Sequence, residues 1–267
     1  MIPARNEQTN LYKTLLSLFE QTVKPSQVVL VNDNSIDNTR EVGQSFGCNV
    51  IDYPFNHKEN WVGSFKLAAI LNEGFKALDS DLDYIMILGA DHILPKNYIE
   101  KITDRMNVSD SIVIASGMIL GEWSTTPRGS GRIIKAHYWK KIGSCYPMNY
   151  GYEGYALYKA LSLGYEIKYY SDIHTTTQRK TGNTYKPSMS YNYGKAMQAL
   201  GYTSSYALGR CFVNTKRKGL KHGIAMLKGY RSNHVTPYEK ELVDFVKESH
   251  KLNRSHIKRL FTYLVKS

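Results

Sequence analysis

Hydrophobic positions in the first 175 residues alternate between two periods. Leu11, Leu15 and Leu18 recur at helical spacing. Residues 84–88 form a continuous apolar run ended by Gly89, typical of a strand buried on both faces. This alternation predicts βαβ units and a mostly parallel sheet with flanking helices. The other predicted strands lie at 27–31, 49–51, 112–115 and 166–170, and the other predicted helices at 37–46, 63–78, 97–106, 133–142 and 153–163.

The pattern changes in the second half of the chain. Residues 117–132 are rich in Gly and Ser and contain Pro127, which predicts a mobile loop. From Ser188 onward the apolar residues again have helical spacing. We therefore predict an α/β domain over 1–175 and a basic, mainly helical extension over 176–267. Met1 and Ile2 leave little room for a first strand, so we expect that strand to be incomplete and favour a truncated start.

Charge separates the same two regions. The formal net charge is +12. Residues 1–175 hold 17 Lys and Arg against 19 Asp and Glu, whereas residues 176–267 hold 18 against 4. A field of one sign attracts polyanions such as nucleic acid, an anionic membrane or a phosphorylated substrate. No nucleic-acid motif is recognisable, so we predict no nucleic-acid partner.

Two apolar stripes in the tail have basic neighbours. Leu242, Phe245 and Val246 form one, and residues 257–265 contain the other. A basic amphipathic helix can lie on an anionic leaflet, and it can equally pack as a cap with a solvated basic side. Both alternatives stay open for residues 236–267.

Several classes of protein are disfavoured. No apolar run reaches the roughly 18 residues of a membrane span, and no apolar segment of a secretory signal is recognisable. Cys48, Cys145 and Cys211 are odd in number and far apart, which argues against a disulfide framework and fits a reducing compartment. We therefore predict a cytoplasmic protein, peripheral at the inner membrane face if the tail binds lipid.

Polar clusters follow the predicted strands. Ligands of open parallel sheets bind where strands end, so these clusters are candidates for one site. The four clusters are residues 3–7, 32–39, 89–92 and 171–174.

Residues 3–7 (Pro-Ala-Arg-Asn-Glu), 31–39, Gly89-Ala90-Asp91 and Gly151-Tyr152-Glu153 together resemble family 2 glycosyltransferases of the GT-A fold. The resemblance covers about residues 1–175 in the family's order and spacing. It implies inverting transfer of a sugar, of hexosyl type, from a nucleotide-diphosphate sugar to a glycan or lipid-linked acceptor. It also implies a divalent cation, Mg²⁺ or Mn²⁺, and metal-assisted direct displacement.

The resemblance also implies donor-binding residues. Asp33 matches the acid that contacts the base or ribose, although Asp33 could instead close an Asx-turn. Asn32 departs from a second acid at that place, and Asp37 is better explained as a helix cap. Glu7 could equally be a charged helix start, and Lys66 an exposed helical lysine. The remaining predicted donor contacts are Pro3, Ala4, Arg5, Ala90, Asp91 and Arg179, the last on a polar segment that could close over the diphosphate.

For the metal, the resemblance implies Asp91, with His174 completing the site. The family's Asp-x-Asp keeps only its last member, because Gly89 stands at the first place. His92 is expected to be a packed ring, and a surface position remains the alternative for His174.

The general base is expected to be Glu153. The family has Glu-Asp at this helix start, whereas Gly154 stands here in place of Asp. A phosphate acceptor is already ionised and needs no base, so a lipid-phosphate acceptor stays open. The two glycines also leave an alternative function, a non-catalytic nucleotide-sugar or glycan-binding protein on a decayed GT-A scaffold.

Overall fold

The structure, a computed structural model, describes residues 1–57, 61, 64–122, 124–179 and 186–251. The predicted stripe at 257–265 lies outside the described residues. Strands of the described part are β1 (Ile2–Ala4), β2 (Val29–Asn32), β3 (Asn49–Asp52), β4 (Tyr84–Ile87), β5 (His92–Ile93), β6 (Ile112–Ile119), β7 (Arg132–Lys135) and β8 (Glu166–Thr177). Helices are α1 (Gln8–Phe19), α2 (Thr39–Ser45), α3 (Leu67–Lys76), α4 (Tyr98–Asn107), α5 (Ala136–Lys141), α6 (Tyr152–Ser162), α7 (Pro187–Ala199), α8 (Ser204–Lys218), α9 (Leu220–Tyr230) and α10 (Lys240–Ser249).

The first three strands form a parallel sheet in the order β1-β2-β3. All four residues of β2 are buried, as expected for a strand covered on both faces. Helices α1 and α2 connect the strands, which is the predicted βαβ arrangement. The prediction of an α/β fold with a parallel sheet and flanking helices is confirmed here.

The second sheet is mixed, in the order β4-β7-β6-β8-β5. Only β6 and β8 pair in parallel there, and the other neighbours are antiparallel. The predicted helix at 133–142 is wrong in its first part, because Ile133 and Ile134 belong to β7 and only 136–141 are helical. Both isoleucines are β-branched and pair with β4 and β6, so tertiary pairing decides their conformation.

Strand β8 extends beyond its predicted end at residue 170. It continues through Thr175, Thr176 and Thr177, where Thr176 and Thr177 pair with β5. Threonine is β-branched and favours an extended chain, so this polar segment can continue the strand. This extension brings residues 178 and 179 to the neighbourhood of Asp91, since Gln178 N–H donates to the Asp91 carbonyl over 2.8 Å.

The described residues divide into two compact units. The first takes in 1–60, 68–146 and 159–183, and the second takes in 61–67, 147–158 and the residues from 184 onward. The core of the first unit gathers apolar residues of α1, α4 and both sheets, including Leu11, Leu15, Leu30, Ile102 and Ile133. The second unit thus adds two earlier segments to the C-terminal residues.

The second unit is helical. Helix α7 packs closely on α9, because Gly194 lies against the Met226 carbonyl and Gly229 lies against the Tyr191 carbonyl. A side chain at either glycine would overlap backbone, so the short distance between the helices requires glycine there.

Helix α10 decides between the two alternatives for its apolar stripe. Leu242 and Val246 are buried in a cluster with Leu200 and Tyr238, and Phe245 packs against the same cluster. These side chains serve as a packed cap and are not available to a membrane.

No described helix combines the length and the apolar character needed to cross a bilayer. The three cysteines form no disulfide, in agreement with their spacing. Burial raises the pKa of the Cys48 thiol to about 11.

Candidate functional site

The three parallel strands end at one level. Ala4 pairs with Asn32, and Asn32 pairs with Asp52, so each strand finishes at the same row of the ladder. The residues that follow therefore leave from one edge of the sheet. This edge carries the candidate site of the first unit.

The Asp33 cluster, which consists of Arg5, Asp33 and His57, occupies part of this edge. His57 Nε2 lies 2.7 Å from Asp33 Oδ1, and Arg5 Nη1 lies 3.6 Å from Asp33 Oδ2. Arg5 also bonds His57, through Nη1 to Nδ1 at 3.0 Å and through Nη2 to the carbonyl at 2.8 Å. The Asp33 side chain is 9% exposed, so its carboxylate has little contact with solvent. Arg5 and His57 hold this carboxylate in place.

Asn32 has a structural reason to depart from an acid. Its amide Nδ2 donates to Asp52 Oδ1 over 2.8 Å, and this bond, with Arg40 as a further partner, lowers the pKa of Asp52. An aspartate at 32 would face the Asp52 carboxylate and repel it. The departure therefore follows from the neighbouring strand β3.

The loop after β1 is hydrogen-bonded to the loop after β2. Asn6 N–H donates to Ser35 Oγ over 3.0 Å, and Asn6 Oδ1 accepts from Ile36 N–H over 2.9 Å. Asn6 adopts a φ of 54°, in the left-handed region that asparagine tolerates. Asp37 accepts from the backbone N–H groups of Gln8 and Thr39, so it acts as a turn and cap residue.

The Asp91 cluster, which consists of Glu7, Asp91 and Arg179, lies where the loop after β1 meets the start of α1. Arg179 Nε donates to Asp91 Oδ2 over 3.0 Å, and Arg179 Nη2 bonds Glu7 Oε1. Burial works against the charge on Arg179, but its bonds to Asp91 and Glu7 raise its pKa on balance. Glu7 also occupies the N-cap position of α1, and its Oε2 accepts from Asn10 over 2.8 Å, so it lies at a helix start as well as beside Arg179.

Asp91 follows a tightly packed turn. Gly89 N–H donates to Ser130 Oγ over 2.7 Å, and a Cβ at Gly89 would lie 3.1 Å from the same oxygen. Ala90 is buried, and its carbonyl accepts from Thr14 Oγ1 over 2.8 Å. A side chain at 89 would therefore press on the Ser130 hydroxyl, which would have to move by a few tenths of an ångström to admit the first acid of the family's pair.

His92 is a packed ring. It is 1% exposed, and its Nδ1 lies at hydrogen-bond distance from Ser130 Oγ. Burial lowers its pKa to about 4, so the ring is neutral at pH 7.

The structure does not bring His174 to Asp91. His174 lies within β8 beside Met118 of β6 and is exposed. Gln178, which bonds the Asp91 carbonyl, is four residues further along, or roughly 13 Å along an extended chain. The predicted partnership therefore fails on strand geometry, and Arg179 lies at Asp91 instead.

Two predicted site residues belong to the second unit. Lys66 lies just before α3 and is exposed, with its Nζ 5.5 Å from the centre of the Trp61 ring. Glu153 lies in the first turn of α6 and is half-buried. A Cβ at Gly154 would lie 3.0 Å from Leu200 Cδ1, so the missing aspartate coincides with close packing.

Within the residues that the structure describes, no group of three or more His, Cys, Asp or Glu side chains is arranged to hold a metal ion. The site residue that sequence reasoning missed is His57. It follows the end of β3 by five residues, so the rule that ligands bind where strands end could have drawn attention to it.

The fold is similar to solved glycosyltransferase structures. A mannosyltransferase from Pyrobaculum calidifontis, in complex with GDP-Man and Mn²⁺, has a TM-score of 0.56 and 14% identity, covering 100% of this chain and 79% of that one. Staphylococcus aureus TarS 1-349, in complex with UDP-GlcNAc, has a TM-score of 0.55 and 14% identity, covering 74% and 64%. Identities this low establish similarity of fold.

Sequence comparison adds the family. A 4,4'-diaponeurosporenoate glycosyltransferase of Staphylococcus aureus (strain USA300) is 38% identical over 63 residues. The match covers 24% of this chain and spans only 16% of that relative. The model of glycosyl transferase family 2 matches residues 1–171, which is more than half of the chain. This chain belongs to glycosyl transferase family 2.

Proposed function

We propose that this protein transfers a sugar, of hexosyl type, from a nucleotide-diphosphate sugar to a glycan or lipid-linked acceptor, with inversion at the anomeric carbon. The observation that carries the proposal is the pair of clusters at the strand ends of the first unit. The Asp33 cluster offers an oriented carboxylate, and the Asp91 cluster offers two carboxylates around one cationic group.

In the proposal, the Asp33 cluster binds the nucleoside. A carboxylate accepts hydrogen bonds from ring N–H groups and ribose hydroxyls, and such charge-assisted bonds are strong. Arg5 and His57 keep the Asp33 carboxylate in place. Pro3 and Ala4 would line the pocket through the strand end that positions Arg5.

A divalent cation fits the Asp91 cluster. Carboxylate oxygens are the ligands that Mg²⁺ and Mn²⁺ favour, and Mg²⁺ is commonly held by one or two carboxylates together with substrate phosphates. Asp91 and Glu7 would supply these two, since both already bond one cationic group. When bound, the cation would neutralise charge on the departing nucleotide.

Arg179 would contact the donor diphosphate. Its guanidinium lies at the carboxylates where the cation would be held, so the diphosphate would arrive within its reach. A planar guanidinium matches phosphate oxygens through paired hydrogen bonds. In this proposal Arg179 exchanges carboxylate partners for phosphate partners as the donor binds.

Replacing Arg179 by alanine should weaken donor binding by about 10- to 100-fold, since a hydrogen bond to a charged group contributes about 1.5–3 kcal/mol. Titration calorimetry with UDP- and GDP-sugars measures this. Arg105→Ala is the matched control, because Arg105 also bonds an aspartate, Asp172, but belongs to neither cluster. Tighter donor binding by Arg179→Ala would mean that Arg179 closes the site instead.

Titration with UDP- and GDP-sugars, with and without Mn²⁺, also tests the proposed function as a whole. Binding of a nucleotide sugar that Mn²⁺ strengthens, followed by release of the nucleotide in the presence of a lipid and glycan extract, is the expected result. Absence of any nucleotide-sugar binding would contradict the proposal.

A second candidate function is favoured by Gly89 and Gly154. A protein that binds nucleotide sugars without transferring them could lose both acids. In that case donor binding would persist while neither transfer nor donor hydrolysis would occur, so turnover distinguishes the two functions.

The unpaired thiols support a reducing compartment, and we place the reaction in the cytoplasm, at the inner face of a membrane when the acceptor is lipid-linked.

We also propose roles for Lys66 and Glu153. Lys66 would be a cationic contact of the donor, and Glu153 would be the base that receives the proton of the acceptor.

A further inference from the structure

Helices α8 and α9 expose large apolar side chains. Leu208 and Phe212 are each 54% exposed, Leu220 is 66% exposed and Ile224 is 45% exposed. Within each helix the two residues are four apart, so they lie on one side of it. We refer to these four residues as the 208–224 face.

The two pairs lie on the same side of one hairpin. The chain reverses at Gly219, where φ is 98°, and Gly223 of α9 packs against Cys211 and Thr215 of α8. An α-helix turns by 100° per residue. Measured from the contact between the two helices, the Leu208 and Phe212 pair of α8 and the Leu220 and Ile224 pair of α9 are each rotated by a little less than a quarter turn. The direction of rotation, viewed along each helix from its N-terminus, is the same. Because the helices run in opposite directions, equal rotations point to the same side of the hairpin.

The other side of the hairpin is occupied. Gly229 of α9 packs against Tyr191 of α7, and Met226 contributes to a buried cluster with Met197 and Ala207. The 208–224 face therefore lies away from the core of the second unit.

The charge along the helices that carry this face has one sign. From residue 173 to residue 238 the chain contains no Asp or Glu, and residues 204–230 contain six Lys and Arg. Lys216 lies on the same side of α8 as the face, with its Nζ 5.4 Å from the centre of the Phe212 ring. Lys221 and Lys228 are exposed on the corresponding side of α9.

We propose that the 208–224 face docks on an anionic lipid surface, with its four apolar side chains in the region between headgroups and acyl chains. Exposed apolar residues flanked by lysines are what such an interface binds, because burial of apolar area and attraction to anionic headgroups act together. The proposal is independent of the donor chemistry, and it assigns the membrane contact to α8 and α9 instead of α10.

Charge complementarity selects this occupant over others. The chain's own residues 252–267 carry Arg254, Lys258, Arg259 and Lys266 with no acid, so they would be repelled. A second copy packed through the same face would bring identical lysines together. A nucleic acid would attract the lysines, but its phosphate backbone would offer no apolar contact to Leu208, Leu220 and Ile224.

The test uses the full chain and sedimentation with vesicles. Vesicles of phosphatidylcholine mixed with phosphatidylglycerol should bind the protein, binding should fall as NaCl rises, and vesicles of phosphatidylcholine alone should bind it far more weakly. Absence of binding to the anionic vesicles, or equal binding to both, would overturn the proposal.

Two pairs of variants locate the contact. Lys216→Gln with Lys221→Gln should weaken binding by about 25-fold, since each lysine near a membrane surface contributes about a factor of five. The control, Lys13→Gln with Lys101→Gln, removes two exposed lysines from the first unit and should bind as the unaltered protein does. Equal effects of both pairs would overturn the assignment to this face.

The apolar part is tested by Phe212→Asp with Ile224→Asp, which should weaken binding by about 100-fold. The control, Val23→Asp with Val108→Asp, adds the same charge at exposed apolar positions of the first unit. The loss of vesicle binding by the Phe212 and Ile224 variant beyond that of the control therefore measures the apolar contact. Melting by circular dichroism confirms that each variant is folded. Three results would overturn the lipid assignment. The first is a loss of vesicle binding no larger than that of the control variant, and the second is self-association of the protein that the two aspartates abolish. The third is binding of duplex DNA that is as tight as binding of vesicles and is weakened by the same variants.

Discussion

Replacing Asp91 by asparagine should reduce turnover by at least about 100-fold and should remove the strengthening of donor binding by Mn²⁺. The substitution keeps the size of the side chain but removes the charge that would hold the cation. Charge stabilisation by a metal contributes several kcal/mol to the transition state, and each 1.36 kcal/mol is a factor of ten in rate. Steady-state turnover and calorimetric titration with and without Mn²⁺ measure the two effects.

Asp172→Asn is the matched control for Asp91→Asn. Asp172 also bonds an arginine, Arg105, and is exposed, but the structure places it in neither the Asp33 cluster nor the Asp91 cluster. Its variant should keep normal turnover. Full Mn²⁺-dependent turnover by Asp91→Asn would show that the cation is held elsewhere, and Arg179 would then be the principal cation at this place.

The second large effect is expected for Glu153→Gln. With a sugar hydroxyl as acceptor, the proton must leave as the hydroxyl attacks, and loss of a general base typically costs about 10²–10⁴-fold in rate. Glutamine keeps the shape of the side chain but cannot take the proton. We expect this loss of rate with unchanged donor affinity, measured on the same preparation.

The control for Glu153→Gln is Glu241→Gln. Glu241 lies in the first turn of α10, so both variants lose an acid that interacts favourably with a helix N-terminus. A small effect of Glu153→Gln would indicate an acceptor that is already anionic, such as a polyprenyl phosphate. Loss of donor binding would instead place Glu153 among the donor contacts.

Much of the first unit could be predicted from the sequence. The positions of β2 and α1 follow from local periodicity, because β2 buries all four of its residues and α1 buries leucines at helical spacing. The position of β3 follows from the β-branched pair Val50 and Ile51, although both are only half-buried. The match of glycosyl transferase family 2 to residues 1–171 confirms the family inferred from the motifs. The second sheet was harder, because pairing between distant segments makes a strand of Ile133 and Ile134.

The candidate site was predicted in part. Asp33 and Asp91 follow strands in recognisable motifs, and the structure gives each a basic partner. His57 belongs to no motif, so its place beside Asp33 depends on how the chain returns after β3. His174 was misplaced because the sequence does not reveal that β8 continues to Thr177, which moves residue 174 away from Asp91.

The level ends of β1, β2 and β3 have a consequence for evolvability. Ala4, Asn32 and Asp52 complete the ladder, and its backbone bonds end one residue further, where Asp33 N–H donates to the Ala4 carbonyl and Tyr53 N–H donates to the Asn32 carbonyl. The loops that follow are not part of the ladder. Lengthening such a loop costs only the slowly growing entropy of closure, whereas changing the strands would disturb the core. Under the proposed function, preference for one nucleobase over another can therefore drift by insertion and substitution in three short segments, while the scaffold beneath them stays the same.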